Sequence, residues 1–458
     1  MSVDNRNQSS PLMSTAIRPH VALVPFTGFR VRAAEMLALG MQLPGLKRRG
    51  IALAELPALG LLTLAGLNPP HWTASYHPTA AAGERLLDEV LRTRPTLVAL
   101  SALTASVEEA YRFSRQVRDQ GIRTVIGGLH VSTCPDEAQQ FCDAVVVGEG
   151  ERCWPQLLAD AEAGKLARIY RSPSLNVSRA DSKWPAPRFD LLGHQPPRFT
   201  LQTQRGCPLA CEFCAASRLL GKFQEKPDEH LQAELNSIQT ISPRPLLELA
   251  DDNTFAGERD FEPFLKALQK SGARWFTESD WRLGERPEIL KRLAAAGCVQ
   301  VLVGIESLVF RYPGQGQKWT ELQRIMNALT AIQEAGVVVN GCFIVGAEGE
   351  TRDSLQRLVD FILASPLAEV QITLQTPFPG TKLHERLRDQ GRLLPDRGWS
   401  YYTLFDVTYQ PDQLSVAELE QGFRDVLAAI YNDAASQRRG TLRKHIWQTN
   451  RQRRRWAS

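Results

Sequence analysis

Cys207, Cys211 and Cys214 fall within eight residues, in the run Arg-Gly-Cys-Pro-Leu-Ala-Cys-Glu-Phe-Cys that follows the strand-like Phe199-Thr-Leu-Gln-Thr-Gln. Three thiolates from one short loop can hold three irons of a four-iron four-sulfur cube and leave the fourth iron without a protein ligand. That open iron is where chemistry can happen. A closed zinc or electron-transfer site asks for a fourth Cys or His close by, and none follows in the next dozen residues. Cys298 and Cys342 stand in the apolar contexts Ala-Gly-Cys-Val and Gly-Cys-Phe and read as small core residues.

The elements that must position this loop repeat after it. Strand signals at 199–204, 246–250, 274–278, 300–305, 337–345 and 370–375 alternate with amphipathic helical patterns at 228–239, 260–270, 287–296, 321–334 and 351–363. The repeat is shorter than the roughly 250 residues of a full eight-unit barrel, and six units fit it better. Residues at the carboxyl ends of such strands collect at one face. These are Asp251 and Asp252, Glu278 and Ser279, Glu306 and Ser307, and the glycines Gly341 and Gly346. Each alone is an ordinary turn former or strand residue. Their succession at consecutive strand ends argues for a site.

Upstream, strand signals at 20–25, 97–101, 124–128 and 144–147 alternate with helical patterns such as 107–120, which predicts a parallel sheet with helices on both faces. Its strand ends carry Ser101 and Thr104, then Gly127, Gly128 and His130, then Gly148 and Glu149. Small residues there leave room for a large flat cofactor at the edge where open α/β sheets bind ligands. No Gly-x-Gly-x-x-Gly turn follows the first strand, which disfavours a dinucleotide. A proline-rich stretch, 171–197, separates the halves. The expected organisation is a leader at 1–19, a Rossmann-like doubly wound domain at 20–170, a linker at 171–197, a partial (β/α)6 TIM-like barrel at 198–407 and a helical extension with a basic tail at 408–458.

The cysteine run, with Phe213 before its last member, resembles the signature of the radical S-adenosylmethionine (SAM) superfamily, and the resemblance implies a catalytic 4Fe-4S cluster and bound SAM. It places Asp251 and Asp252 where the superfamily often has a Gly-Gly-Glu turn for the methionine ammonium. Glu278 and Ser279 follow as further contacts, Glu306 and Ser307 fall at the ribose and carboxylate region, and Gly341 and Gly346 lie on the strand that lets backbone approach adenine. The first half is similar to the cobalamin-binding domain fused to such barrels, with Ser101, Thr104, Gly127, Gly128, His130, Gly148 and Glu149 as cofactor contacts. It lacks the Asp-x-His-x-x-Gly motif that brings a histidine to cobalt, and His130 is the only histidine at a strand-end glycine turn.

The resemblance as a whole implies a cobalamin-dependent methyltransferase acting on an unactivated carbon of a small molecule, drawing electrons from a donor such as flavodoxin or ferredoxin. Cyclisation, rearrangement or carbon–carbon coupling is the alternative within radical chemistry, and a non-catalytic cobalamin or cluster sensor the alternative outside it.

Composition sets the frame. The chain has 458 residues, 43% hydrophobic, enough for two or three cores. Its apolar window at 51–67 is broken by Glu55, Pro57 and glycines, too short to span a bilayer. The polar residues 1–20 lack the apolar run of a signal peptide. Eight cysteines without such a signal imply a reducing, cytoplasmic address. Net charge is only +4, but Arg438, Arg439, Arg443, Lys444, Arg451, Arg453, Arg454 and Arg455 make the tail basic. Without aromatic interleaving this reads as a solvated helix end, and nucleic acid is disfavoured as a partner.

Overall fold

The computed structural model of the chain describes residues 18–27, 31–43, 56–172, 184–193, 195–216, 223–316 and 321–457. The expected leader up to residue 17 and residues 173–183 of the expected linker lie outside the described residues.

Six strands, β1 (His20–Phe26), β2 (Thr73–Tyr76), β3 (Leu97–Ala102), β4 (Arg123–Gly127), β5 (Ala144–Val147) and β6 (Ile169–Arg171), form one sheet in the order β2-β1-β3-β4-β5-β6. Every pair in it is parallel. Val21, Leu23, Leu97 and Ala99 pack in one core, while Ala22, Val24, Val98 and Leu100 pack in another. A sheet buried on both faces needs such continuous apolar strands, and this is the doubly wound arrangement expected. Strand order reverses between β1 and β3, the crevice where open α/β sheets take their ligands. The short strands β2 and β6 were not expected.

The second sheet contains β7 (Phe199–Leu201), β10 (Leu246–Leu249), β11 (Arg274–Asp280), β12 (Cys298–Glu306), β13 (Val338–Val345) and β14 (Glu369–Leu374). Its order, β14-β13-β12-β11-β10-β7, follows the chain, and every pair is parallel. β7 and β14 are its two edges, so it is an open six-unit barrel. Val301, Val303 and Ile305 of β12 join the core beneath the helices. The pleat turns their alternates Gln300, Leu302 and Gly304 to the concave side. The strand expected at 199–204 is divided: β7 ends at Leu201, and β8 (Gln204–Arg205) leaves the sheet to pair antiparallel with β9 (Gln224–Glu225).

The basic tail is a helix, Asp433–Ala457, laid against the amino ends of the barrel strands. Ile446 packs with Val338 and Ala368, and Asn450 donates to the carbonyls of Cys298 (2.7 Å) and Gly336 (2.9 Å). Arg438 reaches Ser365 O (3.0 Å), Arg453 reaches Glu334 O (3.1 Å) and Arg454 reaches Gly272 O (3.3 Å). These carbonyls lie at or just beyond the carboxyl ends of the helices Arg352–Ala364, Leu322–Glu334 and Glu262–Ser271. The arginines therefore serve the unpaired carbonyls and negative dipole ends of the barrel helices. The expected solvated helix end is corrected on this point: much of the charge is used internally.

Candidate functional site

The hairpin β8–β9 closes the loop that carries the three cysteines at the carboxyl end of β7. Gly206 opens the loop in the left-handed region, φ 72°, a conformation glycine adopts without strain. Cys211 is buried, and Cys207 and Cys214 are half-buried. Burial pushes the Cys207 thiol up, a cost that metal ligation offsets. Among the described residues no three His, Cys, Asp or Glu side chains converge on one ion. A cube takes each thiolate to a separate iron and asks for no such convergence.

The loop is held from three sides. Ala210 N donates to Gly314 O (3.3 Å) and Glu212 N to Pro313 O (2.9 Å). A methyl on Gly314 would stand 1.9 Å from Ala210 O, so the contact requires glycine. Phe213 meets Tyr312 edge-on with centroids 4.7 Å apart, and the buried Tyr312 hydroxyl donates to Gln375 Oε1 at 2.9 Å. Glu212, between two of the cysteines and 4% exposed, accepts from Arg386 (2.9 Å). Arg386 also reaches Glu348 (2.9 Å), which in turn receives Arg392 (2.9 Å).

The two aspartates after β10 have different surroundings. Asp251 accepts from Thr203 N (2.7 Å), Thr203 Oγ1 (2.5 Å), Gln204 N (3.2 Å) and Thr254 Oγ1 (2.8 Å). Its oxygens are committed to the scaffold, which corrects its expected role as a ligand contact. Asp252 is half-buried and acts on Cys207 electrostatically. Burial, helped by the charge of Asp251, pushes it up to about 6. Ser279 is likewise buried and donates to Asn253 Oδ1 (3.3 Å), whereas Glu278 is exposed on the alternate face of β11. Burial favours protonation of Asp280, but hydrogen bonds from Arg282 and Asn253 outweigh it and hold the carboxyl below its usual range.

Glu306 ends β12 at a register shift against β13, with φ 72°. A non-glycine residue held there stores strain, and such strain concentrates at functional positions. Ser307 is spent locally, its Oγ accepting from Val309 N and Phe310 N (both 3.1 Å). A methyl on Gly341 would stand 2.8 Å from the Leu367 side chain, so packing accounts for that glycine. Gly346 has φ 91°, and its carbonyl receives the Tyr409 hydroxyl and Gln375 Nε2 (3.3 Å).

In the first sheet the ends of β3, β4 and β5 present Ser101 and Thr104, Gly127 and Gly128, and Gly148. Gly128 (φ 120°) and Gly148 (φ 85°) hold conformations that L side chains rarely adopt. Leu103 between Ser101 and Thr104 is 49% exposed, an apolar side chain open at the ligand edge. Small residues, open backbone and an apolar surface at this edge fit a corrin. His130 does not serve it. Its side chain is fully buried, Nε2 lies 3.4 Å from Glu137 Oε1, and its ring stands edge-on to Trp399 at 4.9 Å. Glu149 also points elsewhere, bonded to Arg152 (2.7 Å) and paired with Arg205 (3.8 Å). Glu212, Arg386, Arg205 and Trp399 were not singled out from sequence. A carboxylate between two cysteines was the one available signal.

Residues 52–158 match the family model described as B12 binding domain, and residues 201–362 match the Radical SAM superfamily. The chain thus belongs to the radical SAM enzymes that carry a cobalamin-binding domain. A 4Fe-4S cluster, SAM and cobalamin are its cofactors. It is 25% identical over 366 residues to the bacteriochlorophyllide d C-12(1)-methyltransferase of Chlorobaculum tepidum, covering 77% of this chain and 79% of that protein. It is 27% identical over 372 residues to the hopanoid C-2 methylase of Rhodopseudomonas palustris, covering 75% and 66%. The fold is shared with the radical SAM methyltransferase TsrM from Kitasatospora setae, solved with cobalamin and a [4Fe-4S] cluster, at TM-score 0.63 and 16% identity over 92% of this chain and 90% of that one. No described helix is long and apolar enough to cross a membrane.

Proposed function

We propose that this protein is a cobalamin-dependent radical SAM methyltransferase that places a methyl group on an unactivated carbon of a small molecule, with Cys207, Cys211 and Cys214 as the cluster ligands. The observation that carries the reading is the apposition of the two half-sites: Arg205, two residues before Cys207, reaches Glu151 and Glu149 beside Gly148 at the edge of the cobalamin domain. When bound, the cluster and SAM supply a hydrogen-abstracting radical and cobalamin carries the methyl group.

The chain's own residues do the rest. The three thiolates fix the cluster and leave one iron open to the amino and carboxylate groups of SAM. Asp252, at the end of β10, would take the ammonium of SAM, and Glu306, at the strained end of β12, would take its ribose or carboxylate side. Phe213, Tyr312 and the Glu212–Arg386 pair close the loop's back against water, which protects a radical from stray donors. Reduction comes from a one-electron donor of the flavodoxin or ferredoxin kind.

Anaerobically reconstituted protein is expected to hold about four irons and four sulfides and, with a strong reductant, to release 5′-deoxyadenosine from SAM. Cys211→Ala should abolish both, and Cys142→Ala neither. With substrate, S-adenosylhomocysteine and 5′-deoxyadenosine should form in equal amounts per methylated product. Tightly bound zinc with no iron overturns the radical reading, and 5′-deoxyadenosine alone during turnover moves the reaction to cyclisation or coupling.

A further inference from the structure

Two distant segments, residues 149–151 and Trp184, meet at the Arg205 guanidinium beside its near neighbour Gln202. Nε donates to Gln202 Oε1 (3.1 Å), Nη2 donates to Glu151, and Nη1 lies 3.8 Å from Glu149 Oε1. The guanidinium also lies over Trp184, which falls within the stretch between the two domains, with Cζ 4.5 Å from the ring centroid. Trp184 is 7% exposed and is also approached by Lys226, 5.2 Å from its ring and itself paired with Glu234 at 2.6 Å. Arg152 completes the cluster by donating to Glu149 Oε2 (2.7 Å). Arg205, Glu149, Glu151 and Arg152 all have side chains less than one-fifth exposed. Two guanidinium groups match two carboxylates, and the carboxylates stand at the amino end of the helix Gly150–Glu162, where its dipole favours negative charge.

This arrangement uses the planar fork, both edges and the face of one arginine, which a lysine cannot reproduce. It also forms a short, stiff path: Cys207, Gly206 and Arg205 on the barrel side, then Glu149 and Gly148 on the cobalamin side. We propose that Arg205 is a positioning residue that pins the cysteine loop to the cobalamin domain and so sets the separation between the cluster and the corrin. The proposal rests on the function proposed above, because it presumes both cofactors.

The test is pulsed electron paramagnetic resonance on the holoprotein with the cluster reduced and cobalamin as cob(II)alamin, reading the distribution of cluster–cobalt separations from their dipolar coupling. Hydrogen exchange at residues 150–152 and 204–205 is followed in parallel. Wild type should give a narrow distribution. Arg205→Ala and Arg205→Lys should keep iron and cobalamin content but broaden the distribution, and Arg205→Ala should speed exchange at both segments about tenfold or more, as expected on removing one partner of a buried charge pair. Glu151→Gln, which leaves the barrel sequence untouched, should broaden it too, and it decides alone if Arg205→Ala fails to assemble a cluster. A wild-type distribution in Glu151→Gln, or in an assembled Arg205→Ala, overturns the proposal while leaving the function standing. Wild type that takes up no iron or no cobalamin overturns the function, and the pin with it.

Discussion

Asp251 and Asp252 are adjacent, identical in type and opposite in use. Asp251 accepts four hydrogen bonds from the backbone and hydroxyls of residues 203, 204 and 254, and the Asp252 charge helps hold the Cys207 thiol up. Asp251→Ala should leave several buried donors without partners, at about 1–3 kcal/mol for each, and should be read as lost thermal stability and poor iron incorporation. Asp252→Ala should keep the fold and the iron and weaken SAM binding instead; equal iron loss in both variants would place Asp252 in the scaffold. The cysteines were legible because three residues of one reactive type at fixed spacing leave few readings. The aspartates were not separable in sequence, because which carboxylate is consumed depends on Thr203 and Gln204, nearly fifty residues away. His130 belongs with them. With the His130 ring fully buried against Glu137 and Trp399, cob(II)alamin bound with its own lower base displaced should show no nitrogen splitting in the wild type, and His130→Ala should lower stability without altering that spectrum.

At the scale of elements, strands such as β12 and β13 were readable because they are largely apolar runs of ordinary length; the expected 300–305 and 337–345 became Cys298–Glu306 and Val338–Val345. The short edge strands β2 and β6, of four and three residues, are largely half-exposed and gave no such run. The end of β12 shows a different limit. Gly-Ile-Glu-Ser reads as an ordinary strand end, and only the register shift reveals the left-handed Glu306. The terminal helix was expected, but its docking escaped for a third reason: hydrogen bonds to carbonyls join it to the barrel as much as apolar contacts do, so its sequence looks like a solvated polar helix. Asn450 is 3% exposed and serves two carbonyls. Asn450→Ala should therefore cost about 1–3 kcal/mol in denaturant unfolding, while Arg451→Ala, at an exposed position on the same helix, should cost close to nothing.

On the scale of the whole molecule, the segment after β14 returns to residues of the first domain and makes a second set of contacts beside those of Arg205. Trp399 Nε1 donates to Glu137 Oε2 (2.8 Å), joining residues 262 apart in sequence. Asp406, 2% exposed, accepts from Arg32 N (3.0 Å), Ala33 N (2.8 Å) and Thr403 Oγ1 (2.6 Å). It thereby receives backbone donors at the start of the helix Ala34–Gln42, whose own N-cap, Ala33, has no polar side chain to offer. Sequence reading divides the chain into successive domains and has no means of seeing that residues near 400 complete the structure near residue 33. The consequence is cooperative. Asp406→Ala strands two backbone donors at about 1–3 kcal/mol each, and a merely local effect would confine the damage to that helix. A clasp between domains should instead lower the temperature at which bound cobalamin is released together with that of barrel unfolding, with Asp406→Asn intermediate because it keeps an acceptor. Calorimetry of the holoprotein, with cobalamin absorbance followed through the same transition, separates the outcomes: a barrel transition unmoved in Asp406→Ala would show that the two domains unfold independently.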